Sequence, residues 1–148
     1  MIYIVCVGNL KEKYLSDACN EYLKRISRYH KIEIIELKES TLTPYSLALK
    51  EEAKEINKHL KGYVIKMAIN GTQLSSEKLA EKIQQVQIQG NSNITFVIGS
   101  SHGLDESVNA SYDLSISKMT FPHQLTRVIL LEQIYRSFCI INHTPYHK

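Results

Sequence analysis

Short apolar runs with strand character alternate with amphipathic helical patterns along the whole chain. Residues 1–7 are an almost continuous β-branched and aromatic run, which is typical of a strand covered on both faces. Comparable runs predict four more strands, at residues 31–37, 63–69, 94–98 and 112–117. Because strands alternate with helices, the pattern predicts an α/β fold with one mostly parallel sheet and helices on both faces. A chain of 148 residues suffices for one such unit, so we expect a single domain over residues 1–148.

The stretches between the strands have helical periodicity and recognisable ends. Apolar residues recur at three- and four-residue steps over residues 15–26, which predicts the first helix. Thr43 as N-cap and Pro44 at the first helical position predict the start of the second helix. A cap at Ser75 or Ser76 predicts the start of the third helix.

Two connections are predicted from turn residues. Asn70 and Gly71 form a strong turn pair that is expected to close the third strand. Residues 99–103 are expected to form a loop after the fourth strand, and residues 104–110 a short helix before the fifth.

The last predicted helix, residues 122–142, is apolar on nearly every side. A helix of this kind has to be buried nearly all round. One face can cover the sheet, and in so small a protein the other face is expected to contact a second copy of the chain. We therefore predict a homodimer through this helix.

Composition limits the partners and the compartment. The net charge of +3 is spread over the chain without a basic arm, so charge permits RNA binding without arguing for it. The three cysteines lack a C-x-x-C pair and lie among apolar neighbours, which predicts reduced, buried thiols in a cytoplasmic protein. No uncharged run is apolar enough to cross a membrane. His143 and His147 have a helical metal spacing, but Pro145 lies between them and no further ligand completes a set, so no metal site is expected.

Side chains capable of chemistry are concentrated in the last third of the chain, which holds four of the six histidines. In open parallel sheets, ligands bind outside the carboxyl ends of the strands, so residues 69–73, 99–103 and 118–123 are candidate binding segments. The 99–103 loop has a flexible backbone suited to a nucleoside or a carboxylate, although it has no P-loop motif and a plain turn is the alternative. Glu132 and Arg136 are predicted to form an ion pair along the last helix.

Several motifs together resemble the YbeA/RlmH family of ribosomal RNA methyltransferases. They are FVIGSSHGL at residues 96–104, LSISKMTFPH at 114–123, Arg127, EQIYR at 132–136, and the closing Tyr146-His147-Lys148. The resemblance covers the whole chain and implies a SPOUT-type α/β-knot fold with a C-terminal trefoil knot. It also implies a homodimer that uses S-adenosylmethionine as methyl donor, without a metal, to methylate N3 of a pseudouridine in 23S (large-subunit) ribosomal RNA.

The same resemblance implies which residues bind the methyl donor. They lie on the third strand, at the end of the fourth strand and in the loop after the fifth: Met67, Gly99, Ile116, Ser117, Lys118, Met119, Thr120 and Phe121. On sequence alone the methionines could equally fill the core. This chain also departs from many members, with Ala68 in place of an acidic residue, Ser100 in place of a second glycine, and about ten fewer residues between the second and third strands.

Four residues are candidates for the substrate site. Methylation at N3 requires the loss of a proton, and a histidine, with an ordinary pKa of about 6.5, is a suitable acceptor. His147 and His123 are the candidates for that role, with a structural role at the helix start as the alternative for His123. Tyr146 is expected to stack on or orient the base, and Arg136 to hold a phosphate or the tail.

Because the charge is modest, assembled ribosomes are expected to be better substrates than naked RNA. Two other functions stay open. One is a ribosome-binding paralogue that has lost catalysis, and the other is a transfer RNA methyltransferase of the same fold class.

Overall fold

The computed structural model describes all 148 residues, which form five strands and four helices. In chain order they are β1 (Ile2–Val7), α1 (Lys13–Ile26), β2 (Ile32–Leu37), α2 (Tyr45–Asn57), β3 (Tyr63–Gln73), α3 (Ser76–Ile88), β4 (Ile94–Ile98), β5 (Tyr112–Ser115) and α4 (His123–Ile141). The strands form one sheet in the order β2-β1-β4-β3-β5, and every neighbouring pair is parallel. The predicted α/β fold is confirmed.

Alternate residues of the central strands divide the core between the two faces of the sheet. Ile4 of β1 and Phe96 of β4 point to one face and pack with α1, α3 and α4. Val5 and Val97, one position further along each strand, point to the other face and pack with α2. This alternation follows from the two-residue period of a strand. Helices therefore cover both faces, as predicted.

The predicted turn at Asn70-Gly71 is wrong, because β3 continues through it to Gln73. Met67 and Thr72 both pair with Leu114 of β5, so residues 68–71 form a four-residue bulge between them. The backbone of β5 runs very close to this bulge: a Cβ added at Gly71 would lie 2.7 Å from the carbonyl carbon of Asp113. Glycine here permits a close approach between two strands instead of a reversal of the chain.

The short helix predicted at residues 104–110 is also wrong. The Asp105 carboxylate accepts the Ser107 N–H at 3.0 Å, so this N–H is not available for a backbone hydrogen bond within a helix. The Asn109 N–H donates to the side chain of Asn57 on α2 at 2.9 Å. These bonds hold the segment as an irregular turn against α2. The following strand, β5, is correspondingly short and ends at residue 115 instead of 117.

The predicted helix starts were right for α3 and wrong for α2. Ser75 is the N-cap of α3, and its hydroxyl accepts the Lys78 N–H at 3.1 Å. The N-cap of α2 is Pro44, not Thr43, and no side chain caps this helix. The helix therefore begins at Tyr45, one residue later than predicted.

Helix α4 is covered on one side by the chain itself. Its buried residues, such as Leu131 and Ile134, join the core on the face that also holds α1 and α3. Leu125 is its one exposed apolar residue, at 37% of its accessible surface. The remaining apolar residues of the helix are either buried or half-buried. The second copy predicted from the sequence is thus not needed to cover the inward face. No helix of the chain has both the length and the apolar character needed to cross a membrane.

Candidate functional site

A cleft lies at the carboxyl ends of β3, β4 and β5. It contains about 580 Å³ of space, part of it open to solvent. Seven of the eight donor-site residues expected from the sequence line it: Met67, Gly99, Ile116, Ser117, Met119, Thr120 and Phe121. Lys118 is the one that does not. Three strand ends thus bring together residues that are about fifty positions apart in the sequence.

One wall of the cleft is the 99–103 loop, which folds back on itself. The Gly103 N–H donates to the Ser100 carbonyl at 2.9 Å. A Cβ added at Gly99 would lie 2.3 Å from the Gly103 carbonyl oxygen, so only glycine permits this close approach. Gly99 therefore serves the tight turn as well as the lining of the cleft.

The opposite wall is formed by residues 116–121. The Ser115 hydroxyl donates to the Ser117 carbonyl at 3.0 Å, and the Ser117 hydroxyl accepts the Met119 N–H at 3.0 Å. These bonds leave the Met119 side chain 74% exposed at the mouth of the cleft. Ile69, on the facing rim, is also exposed. Two large apolar side chains held out at the mouth favour a ligand with an apolar part.

His123, the first residue of α4, lies against the cleft. A Cβ added at Gly8 would be 3.8 Å from its Nε2, so the imidazole sits above the end of β1. Burial lowers the pKa of His123 below its ordinary 6.5, with Glu39 opposing the shift and Arg127 reinforcing it. The imidazole is therefore neutral at neutral pH and has a free lone pair, as a proton acceptor requires.

One turn further along α4, Arg127 ties the helix to the sheet. Its side chain is only 3% exposed, and its guanidinium donates to the Glu36 carboxylate at 2.5 Å and to the Gly8 carbonyl at 3.2 Å. Arg127 Nε has no partner. Glu36 was not among the expected site residues, because nothing in the sequence of β2 distinguishes it from Glu33, the other glutamate of the strand.

The chain after α4 is turned back by a left-handed residue, His143, at φ 56°. The Thr144 N–H donates to the Cys139 carbonyl at 2.8 Å and the His143 N–H to the Ile140 carbonyl at 3.2 Å, which is the bonding of a Schellman motif. Thr144 also shares a hydrogen bond of 3.0 Å with the Tyr29 hydroxyl. His143 thus has a structural role in directing the tail.

Tyr146 and His147 pack onto the helices in what we term the tail network, formed with Glu77, Glu132 and Arg136. Arg136 forms the predicted ion pair with Glu132, at 2.6 Å, and donates to His147 Nδ1 at 3.1 Å. His147 Nε2 then donates to Glu77 at 2.6 Å, so both ring nitrogens are engaged, and this bond lowers the pKa of Glu77. Tyr146 donates to Glu132 at 3.2 Å, and burial raises its pKa to about 12.

The four expected substrate-site residues do not meet within one chain. His123 begins α4, whereas Arg136 holds the tail network thirteen residues further along the same helix. At 1.5 Å per residue this corresponds to about 20 Å along the helix axis. One chain therefore has a histidine at the cleft and a tail group about 20 Å away along α4.

The remaining histidine in this part of the chain, His102, stacks on Tyr45, with ring centroids 4.5 Å apart. It therefore has a packing role between the 99–103 loop and the start of α2. The structure contains no group of three or more histidine, cysteine, aspartate or glutamate side chains arranged to hold a metal ion.

Comparisons with known proteins match the whole chain. The family model described as predicted SPOUT methyltransferase matches residues 1–147. A protein of Methanococcus maripaludis is 55% identical over 158 aligned residues, covering 99% of each chain. Proteins of Bifidobacterium animalis and Clostridium perfringens are 51% and 50% identical, again over 99% of each chain, and both are named ribosomal RNA large subunit methyltransferase H. The aligned length exceeds the 148 residues of this chain by ten.

Proposed function

The chain belongs to the SPOUT methyltransferase family, and from that premise we propose that it methylates ribosomal RNA. The observation that carries the proposal is the cleft at the carboxyl ends of β3, β4 and β5, where the residues expected to bind a methyl donor converge. Full-length relatives at about half identity that are named for ribosomal RNA methylation support the substrate. The whole chain would act as one SPOUT-type domain, and family membership supports the C-terminal trefoil knot.

The proposed donor is S-adenosylmethionine, and the residues of the cleft fit it. Met67, Ile116 and Phe121 offer the apolar surface that an adenine ring requires. The backbone of Gly99 and of Ser117 would bind its polar edges, and the exposed Met119 would be covered by it. When bound, this donor supplies a methyl group on a sulfonium, which is an excellent leaving group. The chain's own task is then to orient the acceptor nitrogen and to take up its proton.

Two of the three departures from the family pattern, Ser100 and Ala68, do not oppose donor binding. The Ser100 hydroxyl donates to Glu52 at 3.0 Å, outside the cleft, so only the backbone of Ser100 faces the donor. Ala68 lies in the bulge of β3, at the rim. The geometry therefore favours an active enzyme over a ribosome-binding paralogue that has lost catalysis.

For the acceptor we propose N3 of a pseudouridine in 23S ribosomal RNA, with His123 as the proton acceptor. Its lowered pKa keeps the imidazole neutral, and it lies at the cleft. Both ring nitrogens of His147 are occupied by hydrogen bonds, to Arg136 and to Glu77, which supports His123 over His147 for this step. The high pKa of Tyr146 keeps its hydroxyl protonated, so Tyr146 would donate a hydrogen bond or stack on a base, and Arg136 would hold the tail.

The protein would act as a homodimer. The tail network lies about 20 Å along α4 from His123, so a partner whose α4 crosses this one would bring its own tail toward the cleft. The exposed Leu125 and the half-buried Ile129 offer apolar surface on α4 for that contact. Light scattering at micromolar concentration should give twice the monomer mass, and a uniform monomer would contradict the arrangement.

The function is tested by methylation of unmodified ribosomes with a labelled donor, followed by mass spectrometry of the RNA. We expect one labelled pseudouridine in 23S RNA and a lower rate on naked RNA, because a net charge of +3 does not bind a stem-loop tightly. A parallel reaction with transfer RNA tests the alternative of a transfer RNA enzyme, and label in that RNA alone would overturn the proposal. Action on ribosomes also implies a cytoplasmic location.

The role of the tail is tested by removing residues 146–148. Methyl transfer should be lost while donor binding and the dimer persist, because these residues lie outside the cleft. Tyr146→Phe is the matched control: it keeps the ring under Arg136, at 4.7 Å, and removes only the hydroxyl. Full activity in the truncated protein would exclude the tail from the substrate site.

A further inference from the structure

Glu52, on α2, is a buried carboxylate that the proposed chemistry does not use. It is 5% exposed, and its two hydrogen bonds are to neutral groups. One carboxylate oxygen accepts the Ser100 hydroxyl at 3.0 Å, and the other accepts the Ser40 N–H at 2.9 Å. Burying a carboxylate costs free energy unless hydrogen bonds compensate, so its retention needs a reason.

One bond of Glu52 holds the loop that forms one wall of the cleft, and the other holds the segment before α2, which packs on that loop. Ser100 lies in that wall through its backbone, and its carbonyl accepts the Gly103 N–H that closes the loop. The bond from Ser100 to Glu52 therefore fixes the 99–103 backbone from behind. Ser40 belongs to the segment that leads to Tyr45, whose ring stacks on His102 of the same loop.

We propose that Glu52 is a positioning residue for the methyl donor, acting through Ser100, an inference that rests on the proposed function. A carboxylate is suited to this place because it only accepts hydrogen bonds, and both of its partners donate. A glutamine would direct its NH₂ group at one of the two donors and leave that donor unsatisfied. The loop would then lose its fixed backbone, and the donor would have to order it on binding.

The experiment compares Ser100→Ala and Glu52→Gln with Thr95→Val. Thr95 is a matched control, because it is buried at the opposite end of β4 and its hydroxyl makes two hydrogen bonds to Lys61. All three variants lose bonds of a buried polar group, and we expect similar losses in Tm. Titration calorimetry with S-adenosylmethionine should show Kd raised at least fivefold for Ser100→Ala and Glu52→Gln, and unchanged for Thr95→Val.

Steady-state kinetics on ribosomes should agree, with a raised KM for the donor and an unchanged kcat. Ser100→Ala removes only one of the two bonds to Glu52, so it keeps the test valid if Glu52→Gln does not fold. A wild-type protein that binds no donor at millimolar concentration would overturn the proposed function and this inference together. If the wild-type protein binds the donor and the Kd of Ser100→Ala and of Glu52→Gln lies within twofold of the wild-type value, the inference alone is overturned.

Discussion

The ion pair between the buried Arg127 and the partly exposed Glu36 predicts an asymmetry between two substitutions that break the same interaction. Glu36→Ala leaves a guanidinium whose side chain is 3% exposed and which keeps only the Gly8 carbonyl as hydrogen-bond partner. Arg127→Met leaves Glu36, whose side chain is already 43% exposed and can turn to water. The loss in the free energy of unfolding depends on how well the remaining charged residue is solvated, so Glu36→Ala should be the more destabilising change.

The magnitudes follow from burial. Removing one partner of a buried pair costs about 3–5 kcal/mol, and the partial exposure of Glu36 favours the lower end, about 3 kcal/mol. Arg127→Met loses the hydrogen bond to Gly8 and a half-exposed ion pair, about 1 kcal/mol in all, because methionine fills the space of the arginine stem. The expected difference in the free energy of unfolding is about 2 kcal/mol.

Urea unfolding measures this difference when all variants are compared at one protein concentration, since a dimer gains stability with concentration. With a slope of about 2 kcal/mol per molar urea, Glu36→Ala should unfold about 1 M earlier than Arg127→Met. Glu33→Ala, an exposed glutamate on the same strand, should change stability by less than about 0.5 kcal/mol. Equal losses for the two pair variants, or a larger loss for Arg127→Met, would refute the reasoning.

Three further outcomes are expected. His143→Gly should raise Tm by about 2–4 °C in calorimetry, because glycine relieves about 1 kcal/mol of left-handed strain, and Asn142→Gly, outside that conformation, should not. The rate of methyl transfer should rise with pH through the lowered pKa of His123 and level off by pH 7, since the acceptor has to be unprotonated, and a half-maximal rate above the ordinary pKa of 6.5 would exclude His123. Gly71→Ala should cost about 1–3 kcal/mol because its Cβ would meet the Asp113 backbone, and a loss below about 0.5 kcal/mol would contradict that close approach.

The sheet and its helices were predictable because their signals are local. Apolar runs predicted all five strands and the long helix α4, helical periodicity predicted the other three helices, and the Ser75 cap located the start of α3. The errors arose where other contacts of the segment override its local sequence pattern. Asn70-Gly71 is a turn pair in isolation, but the approach of Asp113 from β5 keeps it in the strand. Residues 104–110 lose their helix to Asp105 and to a contact with Asn57 on α2.

The lining of the cleft was the most predictable part of the candidate site. Motif resemblance and the rule for strand ends both selected the residues that line the cleft. The polar contacts behind it were not accessible, because Glu52 and Ser100 are 48 positions apart and Glu36 and Arg127 are 91 apart. No local pattern indicates which of many glutamates is buried. The engagement of both His147 nitrogens likewise depends on Glu77, 70 positions away.

The bulge in β3 has a consequence for how the protein can change over evolutionary time. Because Met67 and Thr72 share one partner on β5, the strand register is set on either side of residues 68–71 and does not depend on the side chains between them. Gly71 is restricted by the β5 backbone, whereas no strand pairing with β5 restricts positions 68–70. Single substitutions can therefore change the side chains at the rim of the cleft, such as the alanine at position 68, without any repacking of the core.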